Sequence, residues 1–301
     1  MVRPVILKLL AVSVLWGCNY VASAYLLREF SPILLALSRL VVTSLFLLCV
    51  GWMSRTVKKP TKREWMWLAL VGLTSSLMYQ IFYFIGLTHT SAGNAALIIA
   101  LSPIATTFLA RVFLKEKVTG FKVGGALTAL VGVAAIVLNG GKVTGVSRGD
   151  FFILLAMLTL AVSVLLIRKA TETMKSIDVT IYSTLIGTAL LFPAAGVEWA
   201  QGQQHAGGSP FTWAMLVFVA LIAQGLAGLW WNQGISVAGA STSAMFMNIP
   251  PFVAILVAYA ALGDPIRLTQ IAGGALIVIG VAVSNKKLAD KAISTGTVTG
   301  G

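Results

Sequence analysis

Apolar residues fall along this chain in blocks some twenty residues long, and the joints between the blocks are short, polar and rich in turn-forming residues. A helix needs roughly 20 apolar residues to cross the hydrocarbon core of a bilayer. Ten such blocks are read, at 5–27, 31–53, 65–87, 92–114, 119–139, 150–168, 178–199, 212–236, 240–262 and 267–285. The joints leave no room for a separate soluble domain. The pattern predicts an all-α polytopic membrane protein of ten transmembrane helices.

The pattern also repeats. Residues 86–133 align without a gap on 234–281, at a constant offset of 148, with 9 identities in 48 positions. Identity that low arises between unrelated apolar helices, so the shared punctuation carries the argument. Gly86 falls on Gly234, Ala92 on Ala240, Pro103 on Pro251, Glu116 on Asp264, Gly125 on Gly273 and Gly132 on Gly280. The chain divides into a five-helix repeat over 1–140 and a second over 150–287, with a disordered cytoplasmic tail expected over 288–301. Duplicated helix sets are a usual ground plan of secondary transporters. The glycines seven apart are read as smooth seams for close helix packing.

Composition agrees: 58% of residues are hydrophobic and 10% charged, with a mean hydropathy of +0.92. Basic residues orient the helices. With a cytoplasmic N-terminus the inside collects 17 Lys and Arg, while the outside keeps only Arg28, Lys142, Arg148 and Arg267. Both termini are therefore expected in the cytoplasm. Five is odd, so the second repeat must enter from the opposite face, which makes the repeat inverted. The net charge of +13 lies mostly beside helix ends, where it meets anionic headgroups, and no nucleic-acid partner is expected. Cys18 and Cys49 lie within helices, so neither a disulfide framework nor a metal site is suggested. A cleaved leader, read from Arg3, Lys8 and Ala22-Ser23-Ala24, would remove the first helix and break the symmetry; a retained helix is expected.

The nine acids sit at helix ends or in loops. A buried carboxylate is the commonest proton or sodium relay and the usual counter-charge of a cationic substrate; none is predicted here. His89 is read as an interfacial histidine. Arg39, nine residues into the second helix, is the one charge away from the ends of a predicted span. It is either a snorkelling or carbonyl-bonded staple between helices or an anchor for a substrate carboxylate.

Uncharged polar and aromatic residues supply the other candidates. The first helix offers Trp16, Asn19 and Tyr20, the third Tyr79 and Tyr83 four apart on one face, and the fourth Asn94. The sixth adds Ser163, the eighth Gln224 and Trp231, the ninth Met245 and Asn248. Pro103 and Pro251 are expected to break their helices, freeing carbonyls that lipid cannot satisfy. Each candidate has a plainer reading, as packing or as a bridge between helices.

Tyr83 to Gly86, the Ser91-Ala92-Gly93 turn, Pro103, the run from Phe113 to Val137 and its echo resemble the EamA domain, which, doubled, builds the drug/metabolite transporter superfamily. Trp16-Gly17 with Asn19, and Ser31-Pro32 with Arg39, share the resemblance. It covers nearly the whole chain and implies an exporter of amino acids (aromatic ones included), other metabolites or drugs. The second repeat departs from it: Ala161 replaces the tryptophan, and no arginine stands opposite Arg39.

The expectation is an inner-membrane carrier, a monomer without cofactor or metal, whose cavity is walled by the first, third, fourth, sixth, eighth and ninth helices. Its small-molecule substrate would be neutral or zwitterionic, most plausibly an amino acid, moved by alternating access as the first two helices of each half rock. An enzyme is not expected, since two histidines at loop positions supply no nucleophile–base pair or metal cluster. A channel lacks repeated charge or carbonyl rings. A phosphosugar or nucleotide-sugar antiporter of the same fold would require several internal cations.

Overall fold

The computed structural model describes residues 2–55, 57–90, 95, 98–140, 147–202, 204–207, 209–262 and 268–284. Among these residues there is no strand, and the helices follow the expected blocks closely. They are α1 (Val2–Leu26), α2 (Pro32–Ser54), α3 (62–89), α4 (Ser102–Phe113), α5 (Gly120–Gly140), α6 (Arg148–Ala170), α7 (Ser176–Ala200), α8 (Pro210–Ala238), α9 (240–262) and α10 (Leu268–Ser284). Seven spans are long and apolar enough to cross a membrane, and two shorter apolar helices accompany them. The molecule is an all-helical multi-pass membrane protein.

Several helix starts are written in the local sequence. Thr61 and Glu64 form a reciprocal capping box at the start of α3, and Ser147 and Asp150 another at α6, satisfying donors a helix leaves unpaired at its N-terminus. Two other starts are capped from a distance. Glu198, near the end of α7, accepts from Ser31 Oγ (3.0 Å) and from the amides of Ile33 (3.3 Å) and Leu34 (3.1 Å) at the start of α2. Glu116 accepts from the amides of Ala240 (2.9 Å) and Ser241 (3.3 Å) and from Ser241 Oγ (2.8 Å) at the start of α9. Each carboxylate thereby ties one repeat to the other while meeting the positive end of a helix.

Four segments depart from regular geometry, in two pairs that the repeat relates. The π-helical stretch Gly72–Met78 interrupts α3, and Ala220–Leu226 interrupts α8; both ends differ by the repeat's own 148 residues. The proline breaks correspond as well. The fourth expected block, described at 95 and from 98 onward, turns at residues 100–101 and resumes at Ser102 with Pro103 in its first turn. In α9 a 3-10 turn, Phe246–Asn248, precedes Pro250 and Pro251. Pro103 thus begins a helix rather than sitting inside one, which suits its missing amide hydrogen.

The packing is reciprocal. A methyl group built on Gly125 would lie 2.3 Å from the Gly280 carbonyl oxygen, and one on Gly132 would lie 2.4 Å from that of Gly273. These glycines are the repeat mates crosswise, and the contacts run antiparallel along α5 and α10. Likewise Gly86 packs on Ile153 of α6 as Gly234 packs on Leu9 of α1. Thr43 Oγ1 donates to Ala220 O (2.9 Å) in α8, and Gly187 approaches Gly72 O in α3. Crosswise contacts of this kind are what a two-fold axis between the halves produces. They also place the first two helices of the repeats 144 residues apart, so the mate of Trp16 is Leu160, not Ala161. Ser44 and Thr188, mates at that spacing, touch each other directly, their hydroxyl oxygens 2.9 Å apart.

Candidate functional site

α1 is the element around which the candidate residues gather. Ser13 Oγ lies 3.0 Å from the Phe246 carbonyl of α9, which Pro250 deprives of its ordinary helical donor. One turn on, Gly17 lets α9 close in: an added methyl would lie 2.4 Å from Val253 Cβ and 2.8 Å from Pro250 O. The Trp16 indole donates to Ala223 O at 3.0 Å, inside the π-helical stretch of α8, and its ring stands 5.0 Å from that of Trp231, tilted by 53°. A π turn shifts the backbone ladder by one residue and is often found at functional positions; here a side chain from another helix bonds one of its carbonyls.

Above Trp16 the same helix turns polar. Asn19 Oδ1 accepts from Arg39 Nη2 of α2 (3.0 Å) and from Ser23 Oγ (3.1 Å), while Arg39 Nη1 donates to Ser23 Oγ (2.9 Å). The guanidinium Nε is buried without a partner. Tyr79 and Tyr83 of α3 stack with centroids 5.6 Å apart and planes 19° from parallel. Both lie within electrostatic reach of Arg39, and Tyr20 within reach of both tyrosines. All four side chains are partly buried.

The seven described acids keep to the ends of helices, and none of them pairs with Arg39. Glu198 is spent on α2, Glu116 on α9, Asp150 on Ser147 and Thr90, Glu172 on Lys169. Glu64 is held in its capping box. Asp264 and Asp290 lie outside the described residues.

The other expected site residues divide. Gln224 Oε1 is buried and unpaired, as are both amide atoms of Asn248, and Met245 is fully buried beside the 3-10 turn of α9. Pro251 stands just beyond that turn. Ser163 turns its hydroxyl back to Leu160 O (2.8 Å) on its own helix. Asn94 lies outside the described residues. Arg39 comes from the second helix, which the expected cavity wall omits, and Cys18 is exposed on the outer side of α1. Ser23 was not singled out, although its place four residues after Asn19 puts it on the same face. Asn232, which donates to Thr180 Oγ1 at 2.9 Å, is spent on bridging α8 to α7.

Comparison with known proteins fits this arrangement. The sequence profile of the EamA-like transporter family matches residues 3–138 and again 147–286. The chain belongs to that family. It is 28% identical over 288 residues to the uncharacterized transporter YyaM of Bacillus subtilis, covering 93% of this chain and 92% of YyaM. It is 27% identical to a probable terminal-alkyne amino-acid exporter of Streptantibioticus cattleyicolor, covering 91% of each. A crystal structure of a protein 19% identical superposes with a TM-score of 0.80 over 94% of this chain and 98% of its own, which shows the fold. As an EamA-like protein the chain is a membrane transporter.

Proposed function

We propose that this EamA-like protein is an inner-membrane exporter of small neutral or zwitterionic metabolites, chiefly amino acids and aromatic ones among them, working by alternating access. It would span the membrane ten times as an inverted five-plus-five repeat, with both termini in the cytoplasm. The observation that carries the substrate reading is Arg39. A guanidinium at depth costs about 2.5–3.5 kcal/mol on insertion scales, and here it meets two neutral side chains and no carboxylate. Two hydrogen bonds to α1 account for a staple, but the free Nε and the missing counter-charge suit a bound carboxylate. The stacked tyrosines and the Trp16–Trp231 pair offer aromatic surface for the side chain, and Gln224 and Asn248 offer polar atoms without partners. The named amino-acid exporter among the relatives supports the same choice. A single guanidinium disfavours the phosphosugar and nucleotide-sugar alternative, which needs more positive charge.

With no acid at depth among the described residues, the carrier would be driven by the substrate gradient rather than by protons. The test is uptake into proteoliposomes of labelled amino acids, a sugar phosphate and an organic cation, with and without an imposed pH gradient. Saturable movement of amino acids alone, nearly unchanged by the gradient, is the expected result. Transport of the phosphate or the cation instead, or strict dependence on a proton gradient, would overturn the reading.

A further inference from the structure

The charge around Arg39 is one-sided. Its guanidinium has neutral partners on Nη1 and Nη2 and none on Nε. Along α2 the next acid contact is that of Glu198 with residues 31–34, five to eight residues before Arg39, about 7–12 Å at the helical rise. That carboxylate already accepts three donors and holds a helix start. The repeat supplies no balancing group either. At the 144-residue spacing the mates of Asn19, Ser23 and Arg39 are Ser163, Ile167 and Ser183, so the second half has no charge at the corresponding place. Among the described residues the middle of the helices therefore carries one positive charge and no negative one, the buried acids Asp178 and Glu198 lying at the two ends of α7.

Resting on the reading that Arg39 binds the substrate's carboxylate, we infer that the substrate class best matched to this site is the monocarboxylate anion. Compounds bearing an apolar or aromatic tail and no α-ammonium would bind better than the corresponding zwitterions. A carboxylate placed on the guanidinium removes the cost of an unpaired buried charge. In an α-amino acid the ammonium sits on the neighbouring carbon, which brings it to about 6 Å from Arg39. Repulsion at that distance and an effective dielectric of 20 corresponds to a roughly 100-fold loss of affinity. Neutral acceptors within reach of Arg39, such as the hydroxyl oxygens of Tyr79 and Tyr83, return part of it, leaving an expected preference of about 10-fold.

The same imbalance bears on the driving force. A monovalent anion moving without a proton carries one negative charge outward, so an inside-negative membrane potential expels it. At 100 mV the equilibrium excess outside is roughly 50-fold, from about 2.3 kcal/mol per charge. A zwitterion on the same carrier moves no net charge.

The test uses the full-length protein in liposomes and three probes with one tail: 3-phenylpropionate, L-phenylalanine and phenethylamine. We expect 3-phenylpropionate to compete for labelled phenylalanine at about one-tenth the concentration of unlabelled phenylalanine, and phenethylamine to fail at 100-fold excess. Efflux of 3-phenylpropionate, corrected for protein-free liposomes, should speed up under an inside-negative potassium diffusion potential. Arg39→Gln should remove the preference and Arg39→Lys keep most of it. If Arg39→Gln does not fold, the wild-type competition series decides alone. Equal or better competition by phenylalanine, with its transport intact, overturns this inference and leaves the amino-acid reading standing. No saturable transport of either acid overturns both.

Discussion

Arg39 and Trp16 each join α1 to a neighbour through hydrogen bonds whose loss is measurable. Replacing Trp16 with Phe keeps an aromatic face toward Trp231 but leaves Ala223 O without its donor, at a cost of about 1–3 kcal/mol. We expect the purified variant to unfold earlier in a denaturant titration and to transport more slowly. Unchanged unfolding would show that the Trp16 contact carries no energy. Arg39 was legible in the sequence because the other charges inside apolar blocks, such as Lys8, Arg111 and Lys122, lie within four residues of a block end. Tyr79 and Tyr83 were legible from helical spacing, and Asn19 from its place in the middle of the first apolar block. What spacing could not give was which polar atoms lack partners. The Asn248 side-chain amide, buried at the end of the 3-10 turn, has no hydrogen-bond partner, whereas the Ser163 hydroxyl donates to Leu160 O.

Helices in lipid gain little from burial and depend on close van der Waals contact, so small residues decide which faces meet. α5 offers an internal control. Gly125 has the Gly280 carbonyl where a side chain would go, whereas a methyl on Gly124, the preceding residue, would meet nothing within 4 Å. Gly125→Leu should abolish a monodisperse, extractable protein, and Gly124→Leu should behave as wild type in size-exclusion chromatography. Equal behaviour of the two variants would refute the α5–α10 seam. The seam was readable as glycines seven apart. The paired π-helical stretches were not, because a one-residue shift in a backbone ladder leaves no signature in a pattern of apolar residues. Nor was the 144-residue spacing of the first helices legible there: identities are too few in α1 and α6, and only crosswise contacts such as Gly86 on Ile153 and Gly234 on Leu9 fix it.

At the scale of the molecule, the crosswise contacts relate the two halves by a two-fold axis, and the uneven loop charge is what a duplicated unit turned over in the membrane would carry. That arrangement makes a prediction about sidedness. In a variant lacking Cys18 and Cys49, a single cysteine at Lys117 should react with an impermeant maleimide only after cells are opened. One at Gln201 should react in intact cells; the reverse pattern would invert the topology. The two halves, alike in outline, differ where the chemistry is expected, with Arg39 facing no charged mate. The central claim is that this one guanidinium receives the substrate's carboxylate, and the most direct measurement is the initial rate of labelled phenylalanine transport in proteoliposomes holding equal amounts of wild-type, Arg39→Lys and Arg39→Gln protein. A loss of at least 10-fold for Arg39→Gln, with partial activity in Arg39→Lys and folded protein in all three, is the predicted result. A wild-type rate in Arg39→Gln would contradict it.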